Sequence, residues 1–131
     1  MRDVGLTHIA LPVTDLDESA DFFERYARMH VIHRREGVLW LSDKTRPFAL
    51  VLIETPDVAE PLRPIAHLGV ACESREEVDR LCASARAERV LISGPDDSGP
   101  PVGYWALLRD PDGHTLEVSH GQHVSDAVGC S

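Results

Sequence analysis

The chain has 131 residues, 43% of them apolar and 27% charged, with a formal net charge of −9 at neutral pH. This is the composition of one globular domain, and such an acidic balance disfavours nucleic acid, whose phosphates need a basic stripe. No apolar run approaches the roughly 20 residues of a membrane span, and no signal-like segment precedes the first strand, so a cytoplasmic protein is expected.

Residues 6–13 (LTHIALPV) read as a strand whose Pro12 confines it to an edge or a strand end. Asp15 or Asp17 then caps a helix running to about Met29, with Ala20, Phe23, Tyr26 and Ala27 as its apolar stripe. Residues 30–41 (HVIHRREGVLWL) give two strands joined at 35–37, and 48–54 (FALVLIE) give a fourth. The segment 55–64 carries Pro56, Pro61 and Pro64 and is the linker. The pattern then restarts with a strand at 65–72 (IAHLGVAC). Ser74, with Glu77 three residues on, forms a capping box, and Val78, Leu81, Cys82 and Ala85 keep helical spacing to about Ala87. Residues 89–93 are a strand, and 94–103 (GPDDSGPPVG) read as a loop. The last pair of strands is a hairpin, 104–108 and 115–119, turning at Asp110-Pro111-Asp112-Gly113. There Pro111 presets φ and Gly113 accepts the angle that closes the turn.

In the final strand Leu116 and Val118 point to a core. Glu117 therefore points the other way, with Thr115 and Ser119. A loose mid-strand carboxylate is unusual unless that face is solvent or a site. The order β-α-β-β-β occurs twice. His8 and His67 lie 59 positions apart (67 − 8), and the same offset carries Phe23 onto Cys82. Such a repeat means two similar units that pack against each other. Module 1 spans about 1–58, module 2 about 62–123, and 124–131 is a tail. Cys72, Cys82 and Cys130 are an odd set with no C-x-x-C pair, which argues against a disulfide framework and a thiolate zinc site. Cys72 and Cys82 are expected to be packing residues, and Cys130 lies in the tail.

HIALPVTDLDES, AHLGVAC and RDPDGHTLEVSHG are the most specific stretches of a resemblance that covers residues 6–122. The chain resembles the vicinal-oxygen-chelate superfamily: glyoxalase I, bleomycin-resistance proteins, fosfomycin-resistance enzymes and extradiol dioxygenases. The resemblance implies an α+β fold, with two βαβββ modules forming an eight-stranded, cup-shaped mixed sheet and helices on the outside. It implies metal ligands at His8, His67 and Glu117, with Glu117 also the catalytic group. Two imidazoles and a carboxylate suit one divalent ion (Fe, Mn, Ni, Co or Zn) and leave positions open for substrate or water. A family ligand on the fourth strand would fall near Leu52, with Glu54 the nearby carboxylate, and Leu107 stands where some members carry tyrosine. The arginine that fosfomycin enzymes place after the last strand has no counterpart in the tail.

On strand phase, the cavity wall is expected to hold Ala10, Leu50, Leu52, Trp105, Leu107, Thr115 and Ser119, with Trp40 a possible addition. Such an apolar wall suits a hydrophobic or aromatic small molecule. His33, His114, His120 and His123 are read as surface or turn residues. The expected function is a metal-dependent enzyme of lyase, isomerase or dioxygenase type, acting on a molecule that chelates the metal through oxygens. The alternative is a drug-sequestering protein without chemistry. The stiff, proline-rich linker and the resemblance together imply a homodimer whose sites are shared between chains.

Overall fold

The computed structural model describes residues 2–129. The elements run β1 (His8–Val13), α1 (Leu16–Ala27), β2 (His30–Arg35), β3 (Val38–Ser42), β4 (Ala49–Glu54), β5 (Leu68–Ala71), α2 (Arg75–Ala87), β6 (Leu91–Asp97), β7 (Tyr104–Arg109), β8 (Thr115–His120) and α3 (Val124–Ala127). The chain divides into two units between Pro61 and Leu62. Each unit holds a mixed four-stranded sheet, β1-β4-β3-β2 in the first and β5-β8-β7-β6 in the second. In each, the first strand pairs parallel with the fourth, and the other pairings are antiparallel. This is the βαβββ module twice over, an α+β fold.

The two long helices begin in the same way, 59 residues apart. Asp15 Oδ1 accepts the Glu18 N–H at 3.0 Å, and Ser74 Oγ accepts the Glu77 N–H at 3.1 Å. Each bond satisfies one of the orphan donors of a first helical turn. The capping box around Ser74 is displaced by one residue, because Glu77 Oε2 takes the Glu73 N–H at 3.2 Å.

In the first unit, Phe23 and Tyr26 of α1 are buried, as are Leu11, Val13, Leu39, Leu41, Leu50 and Leu52 of the sheet. In the second, Val78, Leu81, Cys82 and Ala85 of α2 are buried, as are Ala106, Leu108, Leu116 and Val118. Full burial of a side chain of leucine size is worth about 1.5–3 kcal/mol, so each helix is held mainly by this face. Cys72 and Cys82 are both buried, as expected of packing residues. Cys130 lies outside the described residues.

Part of one expected loop is strand. β6 continues through Gly94-Pro95 to Asp97, with register shifts between Leu91 and Ser93 and between Ser93 and Asp96. Gly94 has φ +99°, and a Cβ there would come within 2.9 Å of the Ala106 backbone. The glycine-proline pair marks irregular pairing inside a strand, not a break in it.

Candidate functional site

The second unit places Glu117 between Gly69 of β5 and Leu107 of β7 in strand register. Because Leu116 and Val118 are spent on the core, Glu117 faces away from it, and it is nonetheless buried. Both carboxylate oxygens are directed. Oε2 accepts from Gln122 Nε2 at 3.1 Å, and Oε1 lies 3.8 Å from His67 Nε2. His67 Nδ1 is 3.1 Å from both Pro64 O and Ile65 O. Carbonyl oxygens only accept, so Nδ1 carries the proton.

In the neutral ring, Nε2 then presents a bare lone pair to a carboxylate oxygen. At 3.8 Å the two do not hydrogen-bond. A proton on Nε2 or a cation in the gap satisfies both groups. The separation is shorter than two metal-ligand bonds of about 2.1 Å, so the pair fits two legs of a divalent site. Anchoring Nδ1 on backbone carbonyls and Oε2 on an amide is the outer-shell support such ligands require. Gly69 keeps the space beside the carboxylate open: a Cβ there would sit 3.8 Å from Glu117 Oε2. Among the described residues, no three His, Cys, Asp or Glu side chains form a metal-holding group.

His8 belongs to the first unit, on the open face of its sheet, with Nδ1 3.0 Å from Thr7 Oγ1. That face borders a cavity of about 340 Å³. Thr7, His8 and Ala10 line one side of it, and Ala49, Val51 and Ile53 of β4 form the floor, with Arg35 and Trp40 beyond. Leu50 and Leu52 were expected in this wall and are not there. They share the phase of Leu11 and Val13 and lie in the core, 2% and 0% exposed. A one-residue phase change moves every side chain to the other face, and ALVLIE is apolar at all but its last position, so its sequence carries no phase. Pairing with β1 supplies it: Ala10 stands opposite Val51.

The same register relocates the fourth-strand ligand position. Ala10 is opposite Val51 just as Gly69 is opposite Glu117. Val51 therefore occupies in the first unit the place of Glu117 in the second, and it offers no donor. Glu54 pairs with Val13 and shares the phase of the core residues.

Trp105, Leu107, Thr115 and Ser119 share Glu117's side of the second sheet. Thr115 and Ser119 are fully buried, and Thr115 Oγ1 has no hydrogen-bond partner. Trp105 Nε1 donates to Ser98 Oγ at 2.9 Å. Tyr104 is off this phase, opposite His120, and its hydroxyl donates to Asp79.

His114, read as a surface or turn residue, is 1% exposed, and its Nδ1 accepts the Leu62 N–H at 3.0 Å. Its backbone is in the turn as read, but the ring folds inward to fasten the linker. His120 Nδ1 lies 3.1 Å from Cys72 O and ties the ends of β8 and β5. Gln122 was missed altogether. Its only sequence signal is an amide two residues past the strand that carries Glu117.

A sequence model of the Glyoxalase/Bleomycin resistance protein/Dioxygenase superfamily matches residues 5–118. The chain belongs to that superfamily. Over 125 residues it is 38% identical to the uncharacterized protein PA2024 of Pseudomonas aeruginosa, covering 89% of each. It is similar in structure to a possible glyoxalase from Bacillus cereus, with 26% identity, a TM-score of 0.72, and coverage of 88% of this chain and 97% of that one. It is also similar to the fosfomycin resistance protein FosX of Listeria monocytogenes in complex with Mn(II) and sulfate. There the identity is 21%, the TM-score 0.75, and coverage 98% of this chain and 97% of that one, a likeness of fold. No helix among the described residues is long and apolar enough to cross a membrane.

Proposed function

We propose that the chain is a divalent-metal-dependent enzyme of this superfamily, holding the ion through His8, His67 and Glu117 and acting on a hydrophobic small molecule through its oxygens. The observation that carries this reading is the bare Nε2 of His67 facing Glu117 Oε1 across 3.8 Å, each group fixed from behind. The Mn(II) complex of FosX supports a metal at a site of this fold. A bound divalent ion would act as a Lewis acid on the substrate oxygens. In the neutral ring, donation through Nδ1 makes Nε2 the nitrogen that can ligate. Gln122 orients the Glu117 carboxylate, which is the group available to take a substrate proton. The floor of Ala49, Val51 and Ile53 gives the first module's cavity an apolar wall.

On this reading His8 is the third ligand; among the described residues no third His, Cys, Asp or Glu stands with His67 and Glu117. A homodimer in which one chain lends His8 to its partner's His67 and Glu117 completes the set. The alternative, sequestration of a drug-like molecule without chemistry, draws on one observation. The strand neighbours Leu107, Trp105, Thr115 and Ser119 on Glu117's side of the sheet carry no titratable group themselves.

Calorimetric titration of metal-free protein with Ni(II) tests the metal reading. One ion per site is expected for the parent, and no measurable binding for His67→Ala or Glu117→Gln. Parent-like affinity in either variant removes the pair from the site. A histidine ligand must be neutral, so affinity should also fall on acidification.

A further inference from the structure

We propose that the open face of the first module recognises a flat aromatic anion, with Trp40 as the stacking platform and Arg35 as the partner of its carboxylate. This rests on the preceding reading only in taking the face as a small-molecule site.

Charge is the first argument. The cavity lining includes one guanidinium, Arg35, and no carboxylate, on a chain whose net charge is −9. Two arginines stand side by side on β2, and strand alternation sends them to opposite faces. Arg34 pairs with Leu39 in register and is neutralised by Asp17 of α1 at 3.3 Å. Arg35 is left to the open face, where its Cζ lies 5.7 Å from the centre of the Trp40 ring. That cation–π contact holds the guanidinium over one face of the ring. A guanidinium so placed can grip a carboxylate with two parallel hydrogen bonds.

Shape is the second argument. Trp40 is 37% exposed on a sheet whose neighbouring floor residues are Ala49, Val51 and Ile53. The His33 ring lies 4.8 Å from the indole, centre to centre, with its plane tilted by 56°. The indole thus keeps more than a third of its surface open on this side of the sheet, available to a stacking ring. Aromatic partners gain from this beyond the area they bury, whereas a small aliphatic phosphonate gains nothing from it.

Position is the third. Trp40 lies on β3, two strands from β1 and its His8, a separation of about 10 Å. The anionic end of the ligand is thus turned away from His8. A fused two-ring carboxylate has the length to reach across.

The test uses 2-naphthoate and its neutral counterpart 2-naphthamide, titrated calorimetrically into metal-free full-length protein. Naphthoate should bind at least about tenfold tighter than the amide, as one charge-assisted contact supplies. Arg35→Gln should bring naphthoate down to the affinity of the amide. Trp40→Ala should weaken both. In the parent the preference should shrink as salt is raised, a readout that needs no variant. Equal binding of the two probes, no binding of either, or a preference that survives Arg35→Gln or high salt overturns the proposal. Ni(II) titration of the same samples separates the two readings. Arg35→Gln should keep metal binding, and a protein that prefers naphthoate but binds no Ni(II) refutes the metal reading alone.

Discussion

Asp110 shows how much one turn residue can bear. Its Oδ1 accepts the N–H groups of Asp112 at 2.9 Å and His114 at 2.8 Å, shaping the turn between β7 and β8. Its Oδ2 is buried with no partner. Burial pushes this carboxyl above its ordinary value of 3.8, with His114 and the two backbone bonds pulling the other way. A raised carboxyl binds its proton more tightly folded than unfolded. Its contribution to stability therefore falls as pH rises from the unfolded value through the folded one, and the deficit persists above that. Asp110→Asn keeps an oxygen for the two N–H groups and removes the buried charge. Its urea midpoint should rise relative to the parent as pH goes from about 4 to 7, where the parent carries the full penalty. A pH-independent difference would place the cost in hydrogen bonding instead. The turn itself was legible from Asp-Pro-Asp-Gly, because turn chemistry is local. The inward turn of His114 was not, because its partner at Leu62 is 52 positions away.

At the scale of elements, both βαβββ units were readable because each helix carries its own start signal and apolar stripe. The caps at Asp15 and Ser74 are local hydrogen bonds, three residues from donor to acceptor. Ser74→Ala should lower stability by about 1 kcal/mol, a fall in Tm of roughly 3–5 °C for a domain of this size, measured by thermal melting. Ser74→Gly should lose only a few tenths of that energy, since glycine serves as a cap. Identical losses in the two variants would show that side-chain packing around Ser74, not the cap, is responsible. The strand phase of β4 was not readable. An apolar run reports burial on both sides, and only pairing with β1 shows that Leu50 and Leu52 enter the core under the helix while Ala49, Val51 and Ile53 line the cavity on the other face.

At the scale of the whole molecule, the proposed site draws His8 from one module and His67 with Glu117 from the other. The linker between them carries Pro56, Pro61 and Pro64, which stiffens and extends it. Leu62, at its end, is fastened to the second unit by the His114 ring and by the Thr115 N–H, the latter at 2.6 Å. A linker stiff along its length and pinned at one end favours exchange between two chains over folding back within one. Inactive His8→Ala and Glu117→Ala chains, denatured and refolded together, should form mixed dimers that regain one intact metal centre. No metal binding in the mixed species would rule out the shared site.

The sequence by itself determined the repeat, the Ser74 cap, the final turn and the facing of Glu117 away from Leu116 and Val118, and left the first cap between Asp15 and Asp17. All of these rest on interactions a few residues long or on clean alternation. Only the tertiary structure decided that His67 Nε2 faces Glu117 Oε1, that Gln122 holds the other oxygen, and that Arg35, not Arg34, is left on the open face. Those outcomes depend on strand register and on where a backbone carbonyl or an amide falls, and neither is encoded in the local pattern of polar and apolar residues.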